Sequence, residues 1–543
     1  MNNSIYNFPL PENETIREYL KGSADREKLD AELKKQSETI VEIPLIIGGK
    51  EIFTGNTGKV VMPHNKNKTL AIYHKAGEKE VKMAIEAAKS AHKVWSDLNW
   101  TIRASIMLKV AELITTKYRA VINASTMLGQ SKNIYQAEID AVCEAADFLR
   151  FNVAFASDIY KSQPVSSFNQ LNRMEYRALE GFVFTVSPFN FTSIASNLNL
   201  APVMMGNTTI WKPATTAILS NYYLMKIFSE AGIPDGVVNF LPGSGALIGK
   251  HVMESRDLAG IHFTGSNATF NSLWKEVGEK LSQYKSYPRL VGETGGKDFI
   301  FVHTSADSKE VAAAAFSGAF EYQGQKCSAA SRMYVPSSLW NGIKKEITEL
   351  SDSFKMGDVN DSDNFINAVI DESSFDNIAS YIDYAKNSPE AEIIFGGEYD
   401  KSIGYFVKPT LIKTTNPHFK SMEEEIFGPV LTVFVYEDKE INAALDYCDS
   451  TSPYALTGAV FGRDRIAVAE ICNRLRYAAG NFYINDKPTG AVVGKQPFGG
   501  SRGSGTNDKA GGEFNLIRWV SPRTVKETFI PPTDIRYGYM KSN

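Results

Sequence analysis

The sequence predicts an α/β protein with two parallel sheets, and three observations carry that expectation. From residue 181 onward, short and nearly continuous apolar strands alternate with Gly/Pro turns and helices, as in βαβ units buried on both faces. A second series with the same rhythm begins near Lys297. The chain has 543 residues, too many for one ordinary core, so two or three domains are expected.

The first 40 residues are charge-rich, with a helical pattern over 25–33, and read as a surface arm rather than core. Two amphipathic helices follow, one opening over 78–88 and one carried by 104–113, with apolar residues three to four apart. A third helix spans about 136–151, with Ile139, Ala146 and Leu149 on its apolar side. Strands of the first sheet are expected at 181–186, 208–211, 237–241 and 260–263, separated by helices such as 220–231. The second series gives strand 298–302, helix 308–321, strand 332–335 and helix 340–350, so the boundary falls at 293–297. Two polar, β-rich segments fit neither series: 161–177, and the tail after Asn515 with Trp519, Val520, Val525 and Phe529. Strands outside both sheets need each other or another chain to satisfy their edges, so they read as an oligomerisation flap. A disordered tail is the alternative for the final residues.

Bulk properties exclude several classes. A net charge of −4 gives no electrostatic case for nucleic acid or an anionic membrane. The apolar runs are far short of a spanning helix. The N-terminus, Met1 to Pro9, lacks a basic stretch followed by an apolar one, and Glu12, Glu14 and Glu18 argue against an Arg-rich transit peptide. A cytoplasmic protein is expected, or a mitochondrial matrix one if the source is eukaryotic. Four cysteines, Cys143, Cys327, Cys448 and Cys472, are spread singly without a CxxC pair, which argues for a reducing compartment. The seven histidines form no HExxH motif, so no catalytic metal is expected.

Chemistry concentrates in three places. Cys327 lies in the polar loop Gln323-Gly324-Gln325-Lys326-Cys327-Ser328, unlike the other cysteines, which sit in helical apolar patterns. Glu293 lies 34 positions earlier in Gly292-Glu293-Thr294-Gly295-Gly296-Lys297, and Asn190 lies in Ser187-Pro188-Phe189-Asn190-Phe191. Thiol, carboxylate and amide are a nucleophile, a base for water and an oxyanion donor, the minimum set for covalent acyl chemistry. Lys326 or a bound nicotinamide cation is expected to lower the thiol pKa. Three strand ends offer nucleotide-compatible groups: Trp211-Lys212-Pro213-Ala214, the turn from Pro242 to Gly249, and Phe263-Thr264-Gly265-Ser266. The spacing is not GxGxxG, and each feature alone is also explained by a plain turn or a solvated lysine. Glu425, in an acidic run ending Ile426-Phe427-Gly428-Pro429, reads as a buried strand start.

These residues resemble the NAD(P)-dependent aldehyde dehydrogenase superfamily over about residues 40–530. Four motifs agree in order and spacing: Pro188-Phe189-Asn190-Phe191, Glu293 with Gly295-Gly296-Lys297, Gly324-Gln325 with Cys327, and Glu425 to Pro429. The resemblance implies an aldehyde dehydrogenase-like α/β fold. Its parts would be an N-terminal arm (1–40), a Rossmann-like NAD-binding domain (41–159 and 180–294), a catalytic α/β domain (295–514) and a β oligomerisation flap (160–179 and 515–543). It further implies that Cys327 attacks an aldehyde, that Asn190 and the Cys327 N–H hold the oxyanion, and that Glu293 activates water. NAD would lie against Ser187, Pro188, Phe189, Phe263, Thr264, Gly265 and Phe427, with Lys212 and Glu425 on its riboses. Ser266 and the Gly245–Gly249 turn would lie near the pyrophosphate. Thr215 replaces a glutamate that many NAD-preferring relatives carry, so NADP stays open.

The stretches Gly292 to Phe299, Asn481 to Lys487 and Gln496 to Lys509 resemble, more narrowly, the branch that oxidises L-glutamate γ-semialdehyde to L-glutamate in proline catabolism. In that branch Ser328, Gly490 and Ala491 would hold the substrate carboxylate. Some members have serine at Ala491, so here only its backbone N–H can serve. Glu144 would face the ammonium, and Phe191 and Phe498 would wall the aliphatic part, unless these are a plain helix acid and core packing. A homodimer or dimer-based oligomer is expected. The rivals are a dehydrogenase for another carboxylated aldehyde such as succinate semialdehyde, and a non-enzymatic dinucleotide-binding scaffold.

Overall fold

The computed structural model describes residues 6–541; residues 1–5 and 542–543, the ends of the expected arm and flap, lie outside the described residues. The first sheet runs Arg289–Glu293, Leu258–Thr264, Phe182–Val186, Thr208–Lys212 and Val238–Phe240, all in parallel. It is extended by the antiparallel hairpin Leu45–Ile47 and Lys50–Ile52. Every residue of Leu258–Thr264 is buried, which is why the sequence shows an unbroken apolar run rather than alternation. The chain leaves Phe182–Val186 to build one side of the sheet, then returns to its other side with Leu258–Thr264. That reversal opens a crevice beyond the carboxyl ends of these two strands, where open α/β sheets bind ligands.

The second sheet runs Ala391–Phe395, Thr410–Thr414, Val430–Tyr436, Ala330–Pro336, Asp298–Val302, Thr457–Phe461 and Asn481–Ile484. Only the first of these is antiparallel to its neighbour. Strand Arg289–Glu293 ends the first sheet and Asp298–Val302 begins the second, so the carboxyl edge of one sheet faces the amino edge of the other. The expected strands and helices of both series are present with ends shifted by a few residues, helix Ser337–Ser353 being the longest extension. A three-stranded sheet of Val41–Ile43, Asn65–His74 and Thr57–Met62 is an addition that the sequence reading did not contain.

The two polar segments pair with each other. Gln170–Ala178 and Val520–Thr528 form a nine-residue antiparallel ladder, with Phe168 and Val165 exposed at its tip. Trp519 is not part of this ladder: it is fully buried under the first sheet, and its carbonyl accepts from Asn207 Nδ2 at 2.8 Å. The third helix also differs. A π-helical stretch, Glu138–Cys143, joins Ile134–Ala137 to Glu144–Lys161, and such bulges concentrate at functional sites.

The reading of the first 40 residues as surface is corrected. Helix Ala24–Glu38 buries Leu29 and Leu33 in the core, and Tyr19 is buried beside them. One narrow stripe on an otherwise charged helix gives too weak a pattern to be seen in sequence. Ahead of it, Tyr19 Oη donates to Glu138 (2.8 Å), which also accepts from Asn123 (2.7 Å) and Arg119 Nε (3.1 Å). Arg119 and Glu138 are both buried, and removing one partner of such a pair leaves an uncompensated charge. Arg119→Ala should therefore destabilise the protein by about 3–5 kcal/mol. Chemical denaturation followed by fluorescence reads this as an earlier transition; a wild-type transition midpoint would contradict it.

Candidate active site

Cys327 is delivered by an unusual turn. Helix Ser308–Phe320 ends, and Tyr322, Gln323 and Gly324 follow with φ of +50°, +55° and +64°. Glycine is required at 324 because a Cβ there would lie 2.3 Å from the Gly428 carbonyl oxygen. The two glutamines lock the turn. Gln323 Nε2 donates to the carbonyls of Ser131 (3.0 Å) and Ala368 (2.8 Å), and its Oε1 accepts from Asn367 N–H. Gln325 Oε1 accepts from Ile370 N–H at 2.9 Å, and its carbonyl accepts from the Asn190 amide at 3.0 Å.

Two cavities meet at this cysteine. One is a cleft of about 970 Å³ along the carboxyl edge of the first sheet; the other is a chamber of about 420 Å³ beneath helix Glu144–Lys161. Cys327, Phe263 and Thr264 line both. Asn190 lines the cleft and Glu293 lines the chamber. A thiol on a wall common to two cavities of this kind can react with a small molecule in one and a second ligand in the other.

The surroundings are acidic. Burial raises the Cys327 thiol well above its ordinary pKa, and the carboxyls of Glu293, Asp298, Glu425 and Glu144 push it further. Burial likewise raises Glu293 to about 8, with Lys509 opposing and Glu144 and Asp508 reinforcing. The Glu293 Oε1 atom is shut from solvent and has no hydrogen-bond partner among the described residues. Glu144 is raised to about 8, again mainly by burial, while accepting a hydrogen bond from Ser193. Lys326 does not relieve the thiol. Its ammonium pairs with Glu321 (3.2 Å), which also takes Lys487 (2.6 Å), so the expected lowering of the thiol pKa by Lys326 is corrected.

Close backbone approach explains two glycines beside the thiol. A Cβ on Gly295 would lie 2.0 Å from the Glu425 carboxylate, and one on Gly296 would lie 2.5 Å from the Cys327 carbonyl. The Glu425 carboxylate accepts from Gly296 N–H at 3.0 Å. It stands in the loop ahead of Val430–Tyr436, not at a strand start, because the ladder begins only after Pro429.

Residues 53–525 match the aldehyde dehydrogenase family. The chain belongs to that family. It is 52% identical over 537 residues to the mitochondrial delta-1-pyrroline-5-carboxylate dehydrogenase of Dictyostelium discoideum, covering 98% of this chain and 96% of that one. The human mitochondrial protein of the same name is 46% identical over 530 residues, covering 97% and 94%. Among solved structures, the delta-pyrroline-5-carboxylate dehydrogenase of Mycobacterium tuberculosis bound with NAD is 47% identical, with a TM-score of 0.96 and full coverage of both chains.

Within this aldehyde dehydrogenase fold, the residues singled out in sequence divide cleanly between the cavities. Ser187, Pro188, Phe189, Lys212, Gly245, Gly249, Gly265, Ser266, Glu425 and Phe427 line the cleft with the shared Phe263 and Thr264. Glu144, Phe191, Ser328, Gly490, Ala491 and Phe498 line the chamber. Some side chains are already engaged. Ser187 Oγ accepts from the Trp211 indole (2.9 Å), and Ser266 Oγ caps helix Asn267–Glu279 through Thr269 N–H. Ser328 Oγ shares a 2.7 Å hydrogen bond with Thr489 Oγ.

Sequence reasoning missed Lys132, Asp140 and Thr489. Lys132 is fully buried, pairs with Asp140 at 2.6 Å, and lies 4.4 Å from the Phe191 ring centroid and 4.3 Å from that of Tyr322. Gln130-Ser131-Lys132-Asn133 reads locally as an ordinary polar helix end, so nothing in it pointed to the chamber. The raised thiol pKa has a direct consequence in the free protein. Alkylation of Cys327 by iodoacetamide, followed by peptide mass spectrometry, should still accelerate with pH above pH ~9, the ordinary thiol range. A plateau already reached near neutrality would contradict the acidic surroundings described here.

Proposed function

We propose that this chain oxidises L-glutamate γ-semialdehyde, the opened form of 1-pyrroline-5-carboxylate, to L-glutamate in proline catabolism, with NAD as cofactor. The observation that carries the reading is the Cys327 thiol on the wall shared by a dinucleotide-sized cleft and a small chamber. Relatives at 46–52% identity over nearly the whole chain, named for this activity, support the substrate.

The cleft residues suit NAD. Lys212 stands half-buried at a strand end, its ammonium without an ion pair or hydrogen bond among the described residues, and burial lowers its pKa. Helix Gly245–Met253 points its N-terminus into the same cleft, which suits a phosphate. Glu425, oriented by Gly296, offers a carboxylate for ribose hydroxyls. Thr215 is engaged by Tyr73 and puts no carboxylate at its own position, so NADP is the comparison cofactor.

In the chamber, the Cys327 thiolate attacks the aldehyde carbon. Asn190 Nδ2 has two hydrogens; the Gln325 carbonyl takes one, and the other is assigned to the oxyanion with the Cys327 N–H. A preorganised donor of this kind is worth roughly 3–4 kcal/mol of barrier. The chemistry NAD supplies when bound is hydride acceptance, which turns the Cys327 thiohemiacetal into a thioester. Glu293 then accepts a proton from the water that attacks the thioester, and the thiolate leaves. A pKa near 8 makes the Glu293 carboxylate a stronger base than an ordinary one, and steady-state turnover should rise as pH climbs through that value and populates it. Ser328, Gly490 and Ala491 are assigned to the substrate carboxylate, Glu144 to its ammonium, and Phe191 and Phe498 to its aliphatic chain.

The domain roles follow the two sheets, with 41–159 and 180–294 holding NAD and 295–514 carrying the cysteine. The flap of 160–179 and 515–543 is assigned to pairing of subunits into a dimer. No described helix is long and apolar enough to cross a membrane. We place the protein in the cytoplasm, or in the mitochondrial matrix for a eukaryotic source; the Dictyostelium and human relatives are named mitochondrial. Steady-state kinetics with both cofactors tests the reading: kcat/KM should be highest for L-glutamate γ-semialdehyde with NAD. Equal or better values with succinate semialdehyde would overturn the substrate.

A further inference from the structure

Residues 6–20 form neither helix nor strand, yet three of them, Asn13, Glu14 and Ile16, line the substrate chamber. The contacts of Asn13 are specific. Its Nδ2 donates to Asp147 Oδ2 and to the Val493 carbonyl, both at 2.9 Å, so both amide hydrogens are used. The second Asp147 oxygen accepts from Glu14 N–H at 2.7 Å.

These two acceptors belong to different elements of the chamber wall. Asp147 lies three residues after Glu144 on helix Glu144–Lys161, so the two side chains share one face. Val493 lies two residues after Ala491, in the loop whose Gly490 has φ +95°. That loop rests on the same helix through Val493, Phe148 and Phe151. Gly494, at φ +80°, passes so close to Phe151 that a Cβ would lie 2.2 Å from its ring. Apolar contact therefore seats the loop, and Asn13 is the polar tie between loop and helix.

The segment carrying Asn13 is itself held by Arg119 and Arg150. The Glu14 carboxylate accepts from Arg119 (2.8 Å) and Arg150 (2.7 Å), and Arg119 Nη2 also donates to the Thr15 carbonyl (2.9 Å). Aspartate at 13 could not substitute, because a carboxylate would face the Asp147 carboxylate and a carbonyl with no hydrogen to give.

We propose that Asn13 is a positioning residue that sets the gap between the Glu144 helix and the Gly490–Ala491 loop, and thereby the affinity for aldehydes bearing a carboxylate. This rests on the assignment of that loop to the substrate carboxylate. A glycine-containing loop held in its binding geometry loses less freedom when substrate arrives. Asn13 touches neither Cys327 nor the cleft, so the bond-making steps and NAD binding do not depend on it.

The test compares wild type with Asn13→Ala and Asn13→Asp, using L-glutamate γ-semialdehyde, succinate semialdehyde and the uncharged pentanal. Both variants should raise KM for the carboxylated aldehydes about tenfold, the scale of one or two lost hydrogen bonds, with Asn13→Asp the more severe. Saturated kcat, KM for NAD and kcat/KM for pentanal should stay within about twofold, a split that general loss of structure would not give. Equal losses on charged and uncharged aldehydes, or no loss on either, would overturn the proposal. Wild-type preference for succinate semialdehyde would overturn only the substrate reading, because the charged-to-uncharged ratio still decides the role of Asn13.

Discussion

The left-handed turn at Tyr322, Gln323 and Gly324 is the constraint on which the site depends. It reverses the chain leaving helix Ser308–Phe320 and sets Cys327 at the amino edge of the second sheet, facing the carboxyl edge of the first. Left-handed geometry at two non-glycine residues costs on the order of 1–3 kcal/mol each. Three side-chain hydrogen bonds from Gln323 and one from Gln325 offset it, at about 0.5–1.5 kcal/mol each. Strain and compensation are of one size, so the turn holds only while the segments around Ser131 and 367–370 are in place. The position of the nucleophile is thereby tied to both halves of the molecule.

Around that thiol the fold has collected acids rather than bases. Glu293, Glu144 and Glu425 are all raised by burial toward neutrality, and Lys326 is spent on Glu321. In the free site the thiol and these carboxyls therefore ionise at higher pH than their ordinary values. Such a site lessens the cost of several uncompensated buried charges, and Glu293 gains its proton-accepting form as pH climbs through about 8. Among the polar ties of the chamber, the one through Asn13 joins helix Glu144–Lys161 to the loop that carries Gly490 and Ala491.

Much of this was legible in the sequence because it rests on local signals. Apolar runs bounded by glycine marked both parallel sheets, and Cys327 stood out by its polar neighbours. Its partners Glu293 and Asn190 stood out by motif. What escaped had no local signature. Lys132 looks like an ordinary residue at a helix end, and its placement between Asp140, Phe191 and Tyr322 is decided by tertiary packing. The arm looked like surface because only Leu29, Leu33 and Gln36 of its helix are buried. Whether Lys326 would assist the thiol could not be read from its adjacency, since Glu321, five residues earlier, captures it.

The central claim is that Cys327 carries an acyl group that Glu293 releases. Its most direct test is mass spectrometry of Glu293→Gln, acid-quenched after a single exposure to NAD and L-glutamate γ-semialdehyde. The account predicts that the Cys327 peptide gains the mass of one glutamate less one water, with NADH formed once per site and slow turnover thereafter. A Cys327 peptide without the adduct, in a variant that turns over at the wild-type rate, would contradict it.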